Sequence, residues 1–452
     1  MDSAILRVTM RSHSYRRLLG ANRDFRRLWI AQLISLGGDW FNVVALTGLA
    51  LKLTGSTFYG GAILAASFIP QFLATPLTGV IADRFGRRRL MLGANLAGAA
   101  LALTMLAVRS SRTLWLGLAA MAGLAVTGAV FDPASRAGLP NVVGGAPAGG
   151  ELAAANVLMG STWGIMAAVG AGAGGILAAL IGRDAAFVVN AASFLVSAGL
   201  IVGVRADLGP SRRVRPAGRR LDVSGDLGEA IGWARSEPRA LAILGQKAGY
   251  GLGTGMIGLL PFFAARVFGA SDAGIGILYA ARGLGTLIGP FVARPFVRAA
   301  THRLFPALTA SMVLYGLAYL VFPSAPGVWV AAAVVVAAHL GGGAQNTLTS
   351  YGLQALAPDA VRGRILAFEL GLVTASMAAS LLVAGWAADV VAPKVVVEVL
   401  AVVMLGFAVV WGTATRRHWH TIRENTASQS EKISTRFTGR AEPSLFGVKR
   451  GG

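Results

Sequence analysis

The chain has 452 residues, of which 55% are hydrophobic and 13% are charged, against roughly 25% charged residues in an average globular protein. A water-soluble protein this poor in charge would expose large apolar patches and aggregate, so the composition excludes a soluble multidomain enzyme and indicates a chain that lies in lipid. The net charge is +21, and the sequence contains no cysteine and no G-x-x-x-x-G-K-[ST] loop, which excludes disulfides, thiolate chemistry and a P-loop.

Apolar stretches long enough to cross a bilayer recur along the whole chain. A spanning helix needs about 20 mostly apolar residues, whereas an outer-membrane strand would have about 10 residues of alternating polarity. The predicted spans are residues 28–52, 58–82, 90–108, 114–138, 156–181, 185–204, 240–265, 273–293, 304–322, 328–354, 365–388 and 395–414. The sequence therefore predicts an all-α integral membrane protein of about twelve transmembrane helices.

The basic residues predict the orientation of these helices, because cytoplasmic loops of membrane proteins are enriched in Lys and Arg. With the N-terminus in the cytoplasm, 33 of the 41 basic residues fall in cytoplasmic segments and 6 in external segments. The other 2, Lys247 and Arg282, lie within spans. This asymmetry predicts that both termini are cytoplasmic. It also identifies the excess positive charge as a topology signal and argues against nucleic-acid binding.

The spans form two groups of six, separated by a polar stretch. We predict a basic cytoplasmic N-tail at 1–27, an N-terminal six-helix bundle at 28–204 and a cytoplasmic linker at 205–239. A C-terminal six-helix bundle at 240–414 and a basic, disordered cytoplasmic C-tail at 415–452 follow. Two groups of six around a linker are typical of transporters built from pseudo-symmetric repeats.

The loop between the second and third spans, GVIADRFGRRRL, fits the pattern G-x-x-x-D-R-x-G-R-R. The matching residues are Gly79, Asp83, Arg84, Gly86, Arg87 and Arg88. Their spacing and their place in the chain resemble the loop signature of the major facilitator superfamily. The resemblance implies two six-helix bundles that rock about a central site, with this loop as a conformational latch that braces the outward-open state. It also implies that Asp132, at the end of the fourth span, joins the latch through Arg87.

Four further segments narrow the resemblance within this superfamily. The chain is similar to the macrolide-efflux and enterobactin-exporter branch of drug:proton antiporters in NRDFRRLWIAQLISLGGDW, FDPASRAGLPNVV, FVVNAASFLVS and VRGRILAF. The chain departs from the antiporter pattern at Ala171, where a proline is usual, and it lacks the arginine of an R-x-x-x-G motif in the fourth span. The resemblance implies efflux of a hydrophobic or amphipathic small molecule driven by protons.

Polar residues along one face of the first span predict an aqueous cavity. The helical spacing i, i+3, i+7 and i+10 places on this face Gln32, Ser35, Asp39 and Asn42. An ionisable side chain at bilayer depth is a functional hypothesis by default. Asp39 is therefore the first candidate for proton coupling or for recognition of substrate charge. A structural hydrogen bond beside the glycine pair that precedes it is the alternative.

Three more charged residues lie within predicted spans and are coupling candidates. Arg282 is expected to counter the charge of Asp39 or of an anionic substrate. Lys247 either faces the cavity or extends to the interface, and Glu369 either faces the cavity or pairs with Arg362 or Arg364. Further cavity-lining candidates are Gln246, Tyr250, Tyr279, His339 and Asn346, and aromatic candidates for a drug pocket are Trp40, Trp163 and Phe262.

The expected function is secondary active transport, most simply proton-coupled efflux of the multidrug type by a monomer in the inner membrane of a bacterium. The expected partners are a small-molecule substrate, protons and the lipid bilayer. No nucleic acid, cofactor, metal ion or enzymatic activity is expected, because the sequence has no convincing catalytic or metal-binding cluster. A siderophore exporter, a lysolipid flippase or an importer of the same fold are the alternatives, and so is a receptor or scaffold that transports nothing.

Overall fold

The structure is a computed structural model that describes residues 15, 18–84, 86–144, 151–209, 223–298 and 303–418. Side chains are described over the same ranges except at residues 75–84, 153, 223–227, 230, 297–298 and 359–360.

Six long helices build the N-terminal half. They are α1 (Arg23–Thr54), α2 (Phe58–Arg84), α3 (Arg87–Thr104), α4 (Leu114–Val143), α5 (Glu151–Leu180) and α6 (Arg183–Val202). The first helix begins after Asn22, whose side chain accepts a hydrogen bond from the Phe25 N–H. It ends at Gly55, whose φ of 68° favours glycine and terminates the helix. Within this half α1 packs mainly against α5 and α6, α2 packs against α4, and α3 packs against α4 and α6.

The C-terminal half follows a short amphipathic helix in the linker, α7 (Val223–Ser236). Its helices are α8 (Pro238–Gly253), α9 (Ser271–Arg298), α10 (Leu304–Val321), α11 (Val328–Leu356), α12 (Asp359–Val390) and α13 (Pro393–Ala414). In the described chain, 11 helical segments are long and apolar enough to span a membrane, and a shorter apolar stretch, Phe58–Ala74, lies within α2. The predicted all-α membrane fold is confirmed, while the orientation and the domain boundaries stay predictions.

The seventh predicted span, residues 240–265, is not one regular helix. After α8 the chain continues as a 3-10 segment, Thr254–Leu259, and then as a π-helical turn, Phe263–Val267. The glycine-rich sequence allows this change, and the side chain of Ser380 on α12 forms hydrogen bonds with backbone groups of the irregular segment. Its hydroxyl accepts a hydrogen bond from the Gly255 N–H at 2.9 Å and donates one to the Leu252 carbonyl. Such side-chain bonds allow irregular backbone at membrane depth.

The two halves meet along two lines, α5 against α9 and α2 against α12. Glycines bring the backbones together there. The Cβ that a larger residue would add at Gly175 would lie 2.7 Å from the Cα of Gly276, and one at Gly385 would lie 2.9 Å from the Cα of Phe58. Small residues at helix contacts are the usual way to pack helices closely in lipid.

The outer surface of the described helices is apolar. Large hydrophobic side chains such as Leu180 and Val410 are well exposed, as a lipid-facing surface requires. Three exposed tryptophans, Trp115, Trp329 and Trp386, lie near the same, predicted external, ends of their helices. Tryptophans at one level are typical of the membrane–water boundary.

Candidate transport site

A cavity of about 180 Å³ lies inside the N-terminal half, between helices α1 to α6. Such a volume holds on the order of ten water molecules. Most of its wall is apolar, and the aromatic residues in it are Trp40, Phe68, Phe131, Trp163 and Phe194. The polar residues in it are Gln32, Ser35, Asp39, Ser67, Gln71, Asn95, Thr127, Asp132 and Arg136. The cavity thus combines an aromatic wall with two carboxylates and one guanidinium.

Asp39 lies half-buried in the wall of this cavity. The Asn190 amide of α6 approaches the Asp39 carboxylate, Nδ2 to Oδ1, at 3.5 Å. Gly38 makes room for this approach, because a Cβ there would collide with Asn190 and Ser193. Asn42, the fourth residue of the predicted polar face, lines no part of this cavity. It is fully buried, and neither atom of its amide has a hydrogen-bond partner in the described structure.

Asp132 is the second carboxylate of the cavity. The Gln32 amide donates a hydrogen bond to its Oδ1 at 3.3 Å, and Arg136 lies exposed one turn further along α4. Arg87 and Asp132 form no hydrogen bond or ion pair with each other among the described residues, and the expected link between them stays a prediction. Arg87 Nη1 donates hydrogen bonds to the carbonyl of Ala137 at 2.8 Å and to two carbonyls after α6.

The described part of the predicted latch ties helices of one half together. Gly86 precedes α3, and Arg88 donates a hydrogen bond to the carbonyl of Val204, after α6. Arg87 and Arg88 therefore both hold the segment that follows α6, where helix-end carbonyls favour cations. The side chains of Gly79, Asp83 and Arg84 lie outside the described residues, so the inter-half role of the motif stays a prediction.

Lys247 and Glu369 form a buried ion pair in the C-terminal half, with Nζ and Oε1 3.3 Å apart. Lys247 also donates hydrogen bonds to the side chains of Asn346 and, at 3.3 Å, Thr349. Lys247 is therefore buried and does not extend to the interface. Of the alternative partners considered for Glu369, Arg364 pairs with Glu229 of the linker helix at 2.6 Å, and Arg362 donates a hydrogen bond to the Ala357 carbonyl at 3.0 Å.

Arg282 lies between the halves, and its position differs from the expected pairing with Asp39. Its Cζ is 5.9 Å from the ring centroid of Trp40 and 5.7 Å from that of Trp163, within cation–π range. Among the described side chains no carboxylate pairs with it. Its Nε and Nη1 are buried without a hydrogen-bond partner.

The other polar candidates of the C-terminal half do not line the described cavity. His339 Nε2 is 3.0 Å from the Tyr319 hydroxyl, and Tyr315 packs edge-on against the His339 ring. Gln246 is fully buried with both amide atoms unpartnered in the described structure. The residues of this group are Gln246, Tyr250, Tyr279, His339 and Asn346, and their role in a cavity stays a prediction.

Equivalent positions in the two halves carry related polar pairs, which sequence reasoning missed. Gln32 lies nine residues after the first residue of α1, and Lys247 lies nine after the first residue of α8. Asp132 and Asn346 both lie eighteen residues after the starts of α4 and α11. Thus Gln32 bonds to Asp132, and Lys247 bonds to Asn346, at matching places. Aligning the two halves by helix start would have revealed this relationship.

Two polar contacts join the halves at the predicted external end, and both were missed by sequence reasoning. Arg183, at the start of α6, pairs with Asp272, at the start of α9. Asp389, near the end of α12, accepts hydrogen bonds from the Thr57 N–H at 2.5 Å and the Thr57 hydroxyl at 2.7 Å, and from the Ser56 hydroxyl. Charged residues in the short, predicted external loops were the sequence feature that could have indicated these contacts.

The profile of the transmembrane secretion effector family, MFS_3, matches residues 20–440. The chain belongs to this family. It is similar to the multidrug efflux pump Tap of Mycolicibacterium fortuitum, with 28% identity over 374 residues that cover 79% of this chain and 88% of the relative. The resemblance to the major facilitator transporters drawn from the loop motif is thereby confirmed.

Solved transporter structures share the fold. A bacterial homologue of the human lysosomal transporter Spinster superposes with a TM-score of 0.67 at 15% identity, covering 88% of this chain and 98% of that one. The human organic anion transporter MFSD10 superposes with a TM-score of 0.58 at 17% identity, covering 86% of this chain and 99% of that one. At this identity the likeness shows the major facilitator fold alone.

Proposed function

We propose that this protein exports a hydrophobic or amphipathic small molecule from a bacterial cell, driven by inward movement of protons across the inner membrane. It acts as a transporter and not as an enzyme, and it works as a monomer. The observation that carries the proposal is the cavity in which Asp39 and Asp132 face an aromatic wall. The multidrug efflux pump Tap, to which the chain is similar, supports the same direction and kind of substrate.

The wall of the cavity favours substrates with extended apolar surface. Trp40 and Trp163 lie with their ring centroids 6.0 Å apart in an edge-to-face arrangement, and they offer contact area without specific hydrogen bonds. Burial of apolar area stabilises a bound ligand by about 25 cal/mol per Å². Because this attraction is non-directional, many apolar shapes are accepted, as a multidrug exporter requires.

The carboxyl group of Asp39 is the proposed proton carrier. It lies in the cavity wall with one long contact, from Asn190, so protonation breaks no strong ion pair. In the proposed cycle Asp39 takes up a proton when the cavity faces outward. It releases the proton when the cavity faces inward, where the substrate enters. Alternating access then follows from rocking the two halves about their shared interface.

Substrate efflux from proteoliposomes with an imposed proton gradient tests this proposal. Purified Asp39→Asn is expected to lose proton-driven accumulation, while it still inserts and still equilibrates substrate down its own gradient. Asp184→Asn is the matched control, because Asp184 is exposed and pairs with Arg109 away from the cavity. Full proton-coupled transport by Asp39→Asn would refute the assignment.

A further inference from the structure

We propose that Arg282 occupies the aromatic cation site of this transporter in the absence of substrate, and that the ligand which competes with Arg282 for this site is an apolar organic cation. This inference rests on the proposed function and specifies the substrate class of the same cavity. It assigns to Arg282 the role of a tethered competitor, which holds the two halves together until a cation binds.

The first support is the position of the guanidinium. Arg282 belongs to α9 of the C-terminal half, whereas Trp40 and Trp163 belong to α1 and α5 of the N-terminal half. The two tryptophans also form part of the cavity wall, whose lining does not include Arg282 itself. The guanidinium therefore joins the halves through the same rings that a ligand in the cavity would touch.

The second support is how little else binds the guanidinium. Its Nε and Nη1 are buried and make no hydrogen bond to the described residues. A buried charge normally needs a paired carboxylate or several hydrogen bonds. Here the tryptophan rings are the main attraction, so the contact is one that a competing cation can weaken.

The third support is the charge of the cavity. Asp39 and Asp132 contribute two carboxylates, and Arg136, exposed, contributes one guanidinium. With both carboxylates ionised the cavity carries a net negative charge and attracts a cation. A cation bound against Trp40 and Trp163 would compete with Arg282 for these rings, and like charges close together repel in a low-dielectric site.

The consequence is a link between binding and movement. A bound cation raises the energy of the Arg282 contact and favours its separation from the tryptophans. Because α9 packs along α5 at the interface between the halves, that separation loosens the interface from its centre. A neutral ligand of the same shape fills the cavity but exerts no such repulsion.

Ligand binding to the full-length protein in detergent tests the inference, with three phenyl-bearing probes that differ in charge. They are the tetraphenylphosphonium cation, the neutral triphenylphosphine oxide and the tetraphenylborate anion, measured by isothermal titration calorimetry. Arg282→Gln and Arg282→Met are expected to bind tetraphenylphosphonium about tenfold more tightly than the wild type, a change of about 1.4 kcal/mol. Triphenylphosphine oxide affinity is expected to stay the same.

Two further variants make the test specific. Arg282→Lys keeps the charge and should bind the cation like the wild type. Arg112→Gln removes an exposed arginine far from the cavity and should change nothing. The Met variant replaces a buried, poorly hydrogen-bonded charge with an apolar side chain, which is often neutral for stability.

Cation affinity that is unchanged or weaker in both neutral variants would overturn the inference. Loss of tetraphenylborate binding in those variants, with cation binding unchanged, would instead make Arg282 part of an anion site. Failure of tetraphenylphosphonium to bind any form would reject the cationic substrate class. Proton coupling is judged separately, from the flux of the Asp39→Asn variant, so the two proposals fail independently.

Discussion

Arg183 and Asp272 form a two-point ion pair between the halves of the protein, with Nε to Oδ2 and Nη2 to Oδ1 both at 2.9 Å. Paired parallel bonds of this kind are among the stronger polar contacts in proteins. On the other line of contact Asp389 accepts hydrogen bonds at the start of α2. The first contact joins the start of α9 to the start of α6, and the second joins the start of α2 to the end of α12. Together they close the predicted external end on both sides.

Asp272→Asn is expected to weaken this closure and to populate the outward-open state. The chain contains no cysteine, so a single introduced Ile275→Cys reports access without background labelling. Ile275 is fully buried, one turn after Asp272. The introduced cysteine should react roughly tenfold faster with a membrane-impermeant maleimide, added from outside, in the Asp272→Asn background. This change corresponds to a loss of about 1.4 kcal/mol in the free energy of closure.

The control for this experiment is Asp184→Asn. Asp184 also pairs with an arginine at the same end, Arg109, at 2.7 Å, but both residues belong to the N-terminal half. It should leave the labelling rate at the value of the single-cysteine protein. Equal rates in both aspartate variants would show that the Arg183–Asp272 pair does not hold the halves together.

Glu369→Gln is expected to destabilise the protein, because it leaves the buried ammonium of Lys247 without its counter-charge. Breaking one side of a buried ion pair costs about 3–5 kcal/mol, whereas replacing both members by apolar residues is often neutral. Chemical unfolding in detergent micelles should therefore show a loss in the single variant and a recovery in Lys247→Met/Glu369→Leu.

Glu398→Gln is the comparison for that series. It removes an exposed carboxylate 3.8 Å from Lys394 on α13, and such surface pairs contribute about 0–1 kcal/mol. If Glu369→Gln unfolded no more easily than Glu398→Gln, the buried pair would have no structural role.

The case of Glu369 also shows what could be predicted from the sequence. The spans were predictable, because lipid requires about 20 apolar residues per crossing and leaves few alternatives. The partner of Glu369 was not, since Arg362 and Arg364 are near in sequence while Lys247 comes from another helix at the same depth. Periodicity identifies the face of a helix but not the helix that it meets.

The same limit applies to the candidate site. The wall of the described cavity contains Gln32, Ser35 and Asp39, which a helix places side by side on one face of α1. Arg282 was expected to counter the charge of Asp39 or of an anionic substrate. Its contact with Trp40 and Trp163 was not expected, because that attraction depends on how helices of different halves meet.

Gly283→Ala is expected to abolish most transport and to destabilise the protein. The added Cβ would lie 2.5 Å from the carbonyl carbon of Ala167, so α5 and α9 would have to separate, at a cost of about 1–3 kcal/mol. Efflux assays and chemical unfolding of the purified variant measure the two effects. Gly160→Ala, also on α5 but with open space around its Cβ, should be tolerated. Equal tolerance of both changes would contradict the close contact.

Asp83→Asn is expected to abolish transport while the protein still inserts into the membrane. The expectation rests on the loop motif, in which this carboxylate stands among several arginines at the predicted cytoplasmic end. Efflux assays measure transport, and the amount of protein recovered in the membrane fraction measures insertion. Asp207 lies at the same predicted end, and in the described structure its carboxylate accepts a hydrogen bond from the nearby Gly209 N–H, so Asp207→Asn should transport normally. Wild-type turnover of Asp83→Asn would remove the latch hypothesis.

The glycine contacts between the halves restrict where this protein can change during evolution. At Gly175, Gly276 and Gly283 any side chain would act as a wedge between helices, so these positions are expected to accept almost no variation. At Gly128, in the cavity wall, a new Cβ would meet no atom within 4 Å. New substrate preferences can therefore arise from residues of the cavity wall while the surfaces that move against each other stay unchanged.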